Sequence, residues 1–68
     1  MRKAIQVAKD REGYYYACEF IDGTVEDFLL PGTVFVIRQE EGESLEELKE
    51  RARKKARARD IHYVRSLD

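Results

Sequence analysis

Apolar and polar positions alternate loosely through the first forty residues of this chain, and then the spacing becomes helical. In residues 2–9, Ile5 and Val7 fall on one side of an extended segment. Asp10, Arg11, Glu12 and Gly13 make a tight connection, in which Gly13 can take a positive φ. Residues 14–21 are rich in aromatic and β-forming side chains and predict a second strand. One of its faces carries Tyr14, Tyr16, Cys18 and Phe20; the other carries Tyr15, Ala17, Glu19 and Ile21. Asp22-Gly23 between two β-prone runs predicts a two-residue hairpin turn. Residues 24–30 are then either a third strand or a poorly paired excursion, closed by Pro31-Gly32. Residues 33–38 are continuously apolar in the middle, the pattern of a central strand covered on both sides.

From residue 43 the period changes. Leu45, Leu48, Ala52 and Ala56 recur at helical spacing and leave one thin apolar stripe on an otherwise charged segment spanning 43–59. Such a helix lies on one face of a sheet. Ser44 is the expected N-cap, and Glu47 three residues on completes a capping box. Glu43, Glu46, Glu47 and Glu50 sit at the positive end of the helix dipole, and Lys54, Lys55, Arg57 and Arg59 at the negative end. Glu47–Arg51 and Glu50–Lys54 have the spacing of favourable ion pairs. Residues 61–67 read as a last strand, and a right-handed crossover would lay it parallel to 33–38. The expected fold is a single α+β domain over 1–68, ordered β-β-(β)-β-α-β. Its sheet is mostly antiparallel with four or five strands, and one helix packs on one face. Its expected core is Ile5, Val7, Phe20, Val34, Val36, Leu45, Leu48, Ala52, Ala56, Ile61 and Tyr63.

Composition narrows the class. The chain has 68 residues, enough for one small core, and is 40% charged and 43% hydrophobic, which is globular rather than disordered. Its net charge of −1 hides an asymmetry. The first 50 residues hold 6 Lys/Arg against 12 Asp/Glu, and the last 18 hold 7 against 2. Helix-dipole pairing accounts for much of this, and an anionic partner for the basic half would account for the rest. One cysteine, Cys18, excludes an intramolecular disulfide. No apolar run approaches the roughly twenty residues of a membrane span, and no signal-peptide pattern appears. A reducing, cytoplasmic setting and no membrane association are expected.

The segments Gly13-Tyr14-Tyr15-Tyr16-Ala17 through Ile21-Asp22-Gly23, and Gly42-Glu43-Ser44-Leu45-Glu46-Glu47-Leu48, are similar to two motifs of HicB-like antitoxin domains. That family has a partial RNase H fold, opening with a β-hairpin whose second strand carries a GGYxVxxPDLPG-like motif and continuing to a GDTxEEA-like helix start. Here the prolines of the first motif are missing, and Thr24 to Thr33 stand as an insertion. No segment resembles the DNA-binding module that many such antitoxins carry. The resemblance therefore implies dimerisation or covering of a toxin, without DNA binding.

Candidate chemistry does not point to an enzyme. His62, the only histidine, has no nucleophile placed beside it by sequence, and Cys18 shares a face with Tyr16 and Phe20 as a small apolar residue would. One Cys and one His are too few for a structural zinc site. Glu26 and Asp27 would adjoin Asp22 and Glu19 across the expected hairpin, either as an acidic patch or as a solvated face guarding an edge. The four glycines are isolated, so no phosphate loop is present. No catalytic residue, cofactor, metal or small molecule is implied. Two binding classes remain. A protein partner or a second copy (a homodimer) would meet a sheet edge or a tyrosine-rich face of Tyr14, Tyr15, Tyr16 and Tyr63. A nucleic acid would meet the basic helix end and last strand, through Arg53, Lys54, Arg57, Arg59 and Arg65. The mutual agreement of caps, dipole charges and ion-pair spacings is also what an engineered, idealised α/β miniprotein would display.

Overall fold

The computed structural model describes residues 2–9, 15–21, 23–24, 26–27 and 29–61. They form β1 (Lys3–Lys9), β2 (Tyr15–Ile21), β3 (Thr33–Arg38) and α1 (Leu45–Ala58). The expected strand at 61–67 lies outside the described residues beyond Ile61, as does the whole of the first connection, 10–14. The three strands make one antiparallel sheet in the order β2-β1-β3.

Among the described residues the central strand is β1, with β2 on one side of it and β3 on the other. All five residues from Ala4 to Ala8 are buried, on both faces of the sheet. Their small side chains explain how: Ala4 and Ala8 leave room for close cover, whereas a strand of larger residues would stand proud of it. Of the two readings of residues 24–30, a strand or an excursion, the structure shows the excursion. Their described members form turns rather than a strand, beginning where Thr24 N–H and Oγ1 both donate to Ile21 O at the end of β2. Asp22, the first residue of the expected hairpin turn, lies outside the described residues. Both β2 and β3 run antiparallel to β1 and so parallel to each other, and the connection between them has to pass over β1.

Gln6 holds that passage in place. Its side chain is fully buried, and its Oε1 accepts from Leu30 N–H at 3.1 Å and from Thr33 Oγ1 at 2.9 Å. The connection therefore returns across the face opposite the helix. Gly32 ends it at φ +79°, where a Cβ would stand 2.7 Å from Lys9 O, so no side chain fits there.

The helix packs on the other face. Leu48, Ala52, Ala56 and Ile61 are buried against Ile5, Val7, Ala17, Phe35 and Ile37, with Leu45 at the margin. Phe35 and Ile37, not Val34 and Val36, enter this core. The pairing register decides it: Ile37 is opposite Ile5 and Phe35 opposite Val7, so these four share a face. Val34 is left 36% exposed and Val36 half-buried. The side chain of Phe20 and the whole of Tyr63, both expected in the core, lie outside the described residues.

Both helix ends are capped. Ser44 and Glu47 complete the expected capping box. At the other end Ile61 N–H donates to Ala56 O at 2.9 Å and Asp60 N–H to Arg57 O at 3.1 Å, a Schellman motif with Asp60 at φ 59°. Ile61 is buried beside Ala56, which joins this cap to the core.

Candidate protein interface

The outer edge of β3 is where structure, charge and exposed apolar surface meet. In an antiparallel pair, successive residues direct their peptide groups alternately toward and away from the partner strand. Gln39 N–H donates to Lys3 O at 2.8 Å, which fixes the phase: Ile37 and Phe35 face β1, and Val36 and Arg38 face outward. Arg51 Nη2 donates to Arg38 O at 2.7 Å, as an outward-facing carbonyl requires. Among the described residues no strand pairs with this edge.

Arg51 organises one end of the edge. Its guanidinium grips Glu43 with two hydrogen bonds, one of them Nη2–Oε1 at 2.7 Å, and lies 3.6 Å from Glu40. Glu43 also accepts from Glu40 N–H at 3.0 Å. The Arg51 guanidinium, and then the Glu40 amide, hold the Glu43 carboxyl below its ordinary value. Gln39 extends the ladder from the same place, accepting from Lys3 N–H and donating to Glu43 O. The other end is cationic. Lys55 Nζ and the Arg59 guanidinium lie 5.2 Å and 5.4 Å from the centre of the Phe35 ring. Arg51, Lys55 and Arg59 are spaced by four and so form one row along the flank of α1 toward β3.

The opposite flank is a different surface. Lys49 pairs with Glu19 of β2 at 3.3 Å, and Glu19 also lies 3.8 Å from Lys3. Arg53 and Arg57 share Glu50, at 3.4 Å and 3.5 Å. The expected pairs Glu47–Arg51 and Glu50–Lys54 are thus replaced: Arg51 turns to the closer Glu43, and Glu50 to two arginines. Glu26, expected either in an acidic patch or on a solvated face, is exposed and pairs with Arg38 at 2.8 Å.

The chain returns no match to known protein families, to curated proteins or to solved structures.

The candidate residues named from sequence fall in different places. Tyr14, Tyr63, His62 and Arg65 lie outside the described residues. Tyr15 and Tyr16 occupy consecutive positions of β2, opposite Lys9 and Ala8. Arg53, Lys54 and Arg57 lie on α1 and Arg59 caps its end, but they do not form one face: Arg53 and Arg57 gather at Glu50, whereas Arg59 reaches Phe35. Cys18 is half-buried opposite Gln6, and burial pushes its thiol up, away from the reactive thiolate. No helix among the described residues is long and apolar enough to cross a membrane. Two structural residues escaped the sequence reading. Gln6 was the one polar side chain within the apolar run of β1, a signal in plain view; Arg51 was hidden among seven other basic residues of the chain's last third.

Proposed function

We propose that this chain is a non-enzymatic protein–protein interaction module that works through the outer edge of β3. The observation that carries the reading is the outward peptide group of Val36 beside the exposed Val34, with no strand paired to this side of β3 among the described residues. An extended segment added there would gain main-chain hydrogen bonds from Val36 and apolar contact from Val34 and Val36. The covering or dimerising role implied by the resemblance to HicB-like antitoxin domains is one form of this reading. Nucleic-acid binding is less well supported, because the basic residues of α1 divide between two flanks and Glu50 lies among them.

Residue-resolved amide exchange on the dilute, single chain tests the reading. Phe35 and Ile37, bonded to β1, are expected to exchange orders of magnitude more slowly than Val36, whose N–H faces outward. Equally slow exchange at all three positions under dilution would overturn it.

A further inference from the structure

We propose that the corner where the end of α1 meets Phe35 binds a phosphate dianion, either free or carried as a monoester. Lys55 Nζ and the Arg59 guanidinium stand 5.2 Å and 5.4 Å from the centre of the same ring. Lys55 lies in the last turn of α1 and Arg59 is its C-cap. Four residues apart, they leave the same side of the helix end. Phe35 is buried, so its ring and the two aliphatic stems make an apolar floor beneath the two charges. Lys9 approaches from the sheet. It continues the alternation of Ile5 and Val7 on the helix side of β1, one step beyond Val7, which pairs with Phe35. Lys9 and Arg59 are exposed and Lys55 is half-buried, so a small ligand can reach all three.

Charge pairing separates this corner from the rest of the surface. Lys3, Arg38, Lys49, Arg51, Arg53 and Arg57 each have a carboxylate within ion-pair distance. Lys9, Lys55 and Arg59 have none among the described residues. Asp60, next in sequence to Arg59, has a partner of its own. The helix dipole accounts for cations in the last turn. It does not account for two of them held over one ring and left without a carboxylate in a chain that has 14. Like charges so placed repel each other, and an anion between them would relieve the repulsion.

The same chemistry favours a compact dianion. Arg59 offers a planar fork that matches phosphate oxygens, and the two ammonium groups add point charges around it. A single carboxylate would leave two of the three cations unmatched. A nucleic-acid backbone would continue beyond the corner. About 12 Å back along α1 it would meet Arg51, already held by Glu43 and Glu40. A phosphate group ends where the unpaired cations end. The site lies apart from the outward side of Val36 and stands or falls independently of it.

Residue-resolved NMR titration of the intact chain tests the proposal, at constant ionic strength and about pH 7.5, where a phosphate ester is largely dianionic. The probes are inorganic phosphate and a short peptide carrying one phosphoserine. Saturable shifts are expected at Lys9, Lys55 and Arg59 and not at Arg53 or Arg57. Lys55→Gln/Arg59→Gln is expected to bind at least about tenfold more weakly. Lys9→Gln, at an exposed position, is expected to weaken binding severalfold while the remaining resonances stay in place. Tighter binding of the phosphopeptide than of inorganic phosphate would assign the site to a phosphorylated chain, and the reverse order to the free ion. Shifts that grow without saturating, or equal affinity in the intact chain and both variants, would mean an adventitious ion only and overturn the site. Saturation by acetate as readily as by phosphate would overturn the choice of a dianion.

Discussion

Asp60 is the clearest case of one residue set against its own backbone. It holds φ 59°, a conformation that costs a side-chain-bearing residue roughly 1 kcal/mol and glycine almost nothing. It also places a carboxylate at the negative end of the helix dipole. The strain persists because the Schellman bonds from Asp60 and Ile61 and the burial of Ile61 over-determine the turn. Asp60→Gly is accordingly expected to raise stability by about 0.5–1 kcal/mol, measured as a higher urea midpoint with unchanged slope. No change, or a loss, would mean that the aspartate's contacts outweigh its strain. Gly32 is the converse: there the backbone demands glycine, because a Cβ would press on Lys9 O.

Between elements, the Arg51–Glu43 pair clamps the start of α1 to the end of β3, since the same guanidinium also bonds Arg38 O. Glu43 has its carboxyl lowered chiefly by Arg51, so its stabilising effect is present above the unfolded glutamate value near about 4.3 and is lost as pH falls through the lower folded value. Glu43→Gln should therefore be less stable than the intact chain at neutral pH, and the difference should shrink in acid. Urea melts from pH 7 down to about pH 3 check this; a gap that stays constant would place the loss elsewhere. The helix was the legible element. Its Ser44–Glu47 capping box and Leu48–Ala52–Ala56 stripe are local features that a short stretch of sequence states in full. The phase of β3 was not legible, because Val34, Phe35, Val36 and Ile37 are all apolar and only their pairing with Ile5 and Val7 chooses a face. Nor was the path after β2: a glycine following aspartate permits a hairpin, and Gln6, far away in sequence, decides for a crossing. Of the candidate site, the sequence offered a sheet edge in general terms, and the placing of that edge on β3 is the reading proposed above.

At the scale of the whole molecule, a central strand covered on both faces leaves β2 and β3 as the outer strands of the described sheet. Arg51 blunts the β3 edge at Arg38, and the irregular register opposite Val7 and Ala8 disturbs its start. Between these guards Val36 is the position at which another strand would join. The measurement that tests this arrangement most directly is a pair of proline substitutions on β3, followed by urea denaturation at a dilution where the chain is single. Val36→Pro removes an outward N–H and a half-buried side chain, leaves the bonds to β1, and is expected to cost less than Ile37→Pro. Ile37→Pro removes a bond to β1 and a core side chain, and is expected to cost about 3 kcal/mol or more. Equal damage from both substitutions would show that β3 is held on both sides, and would contradict the account.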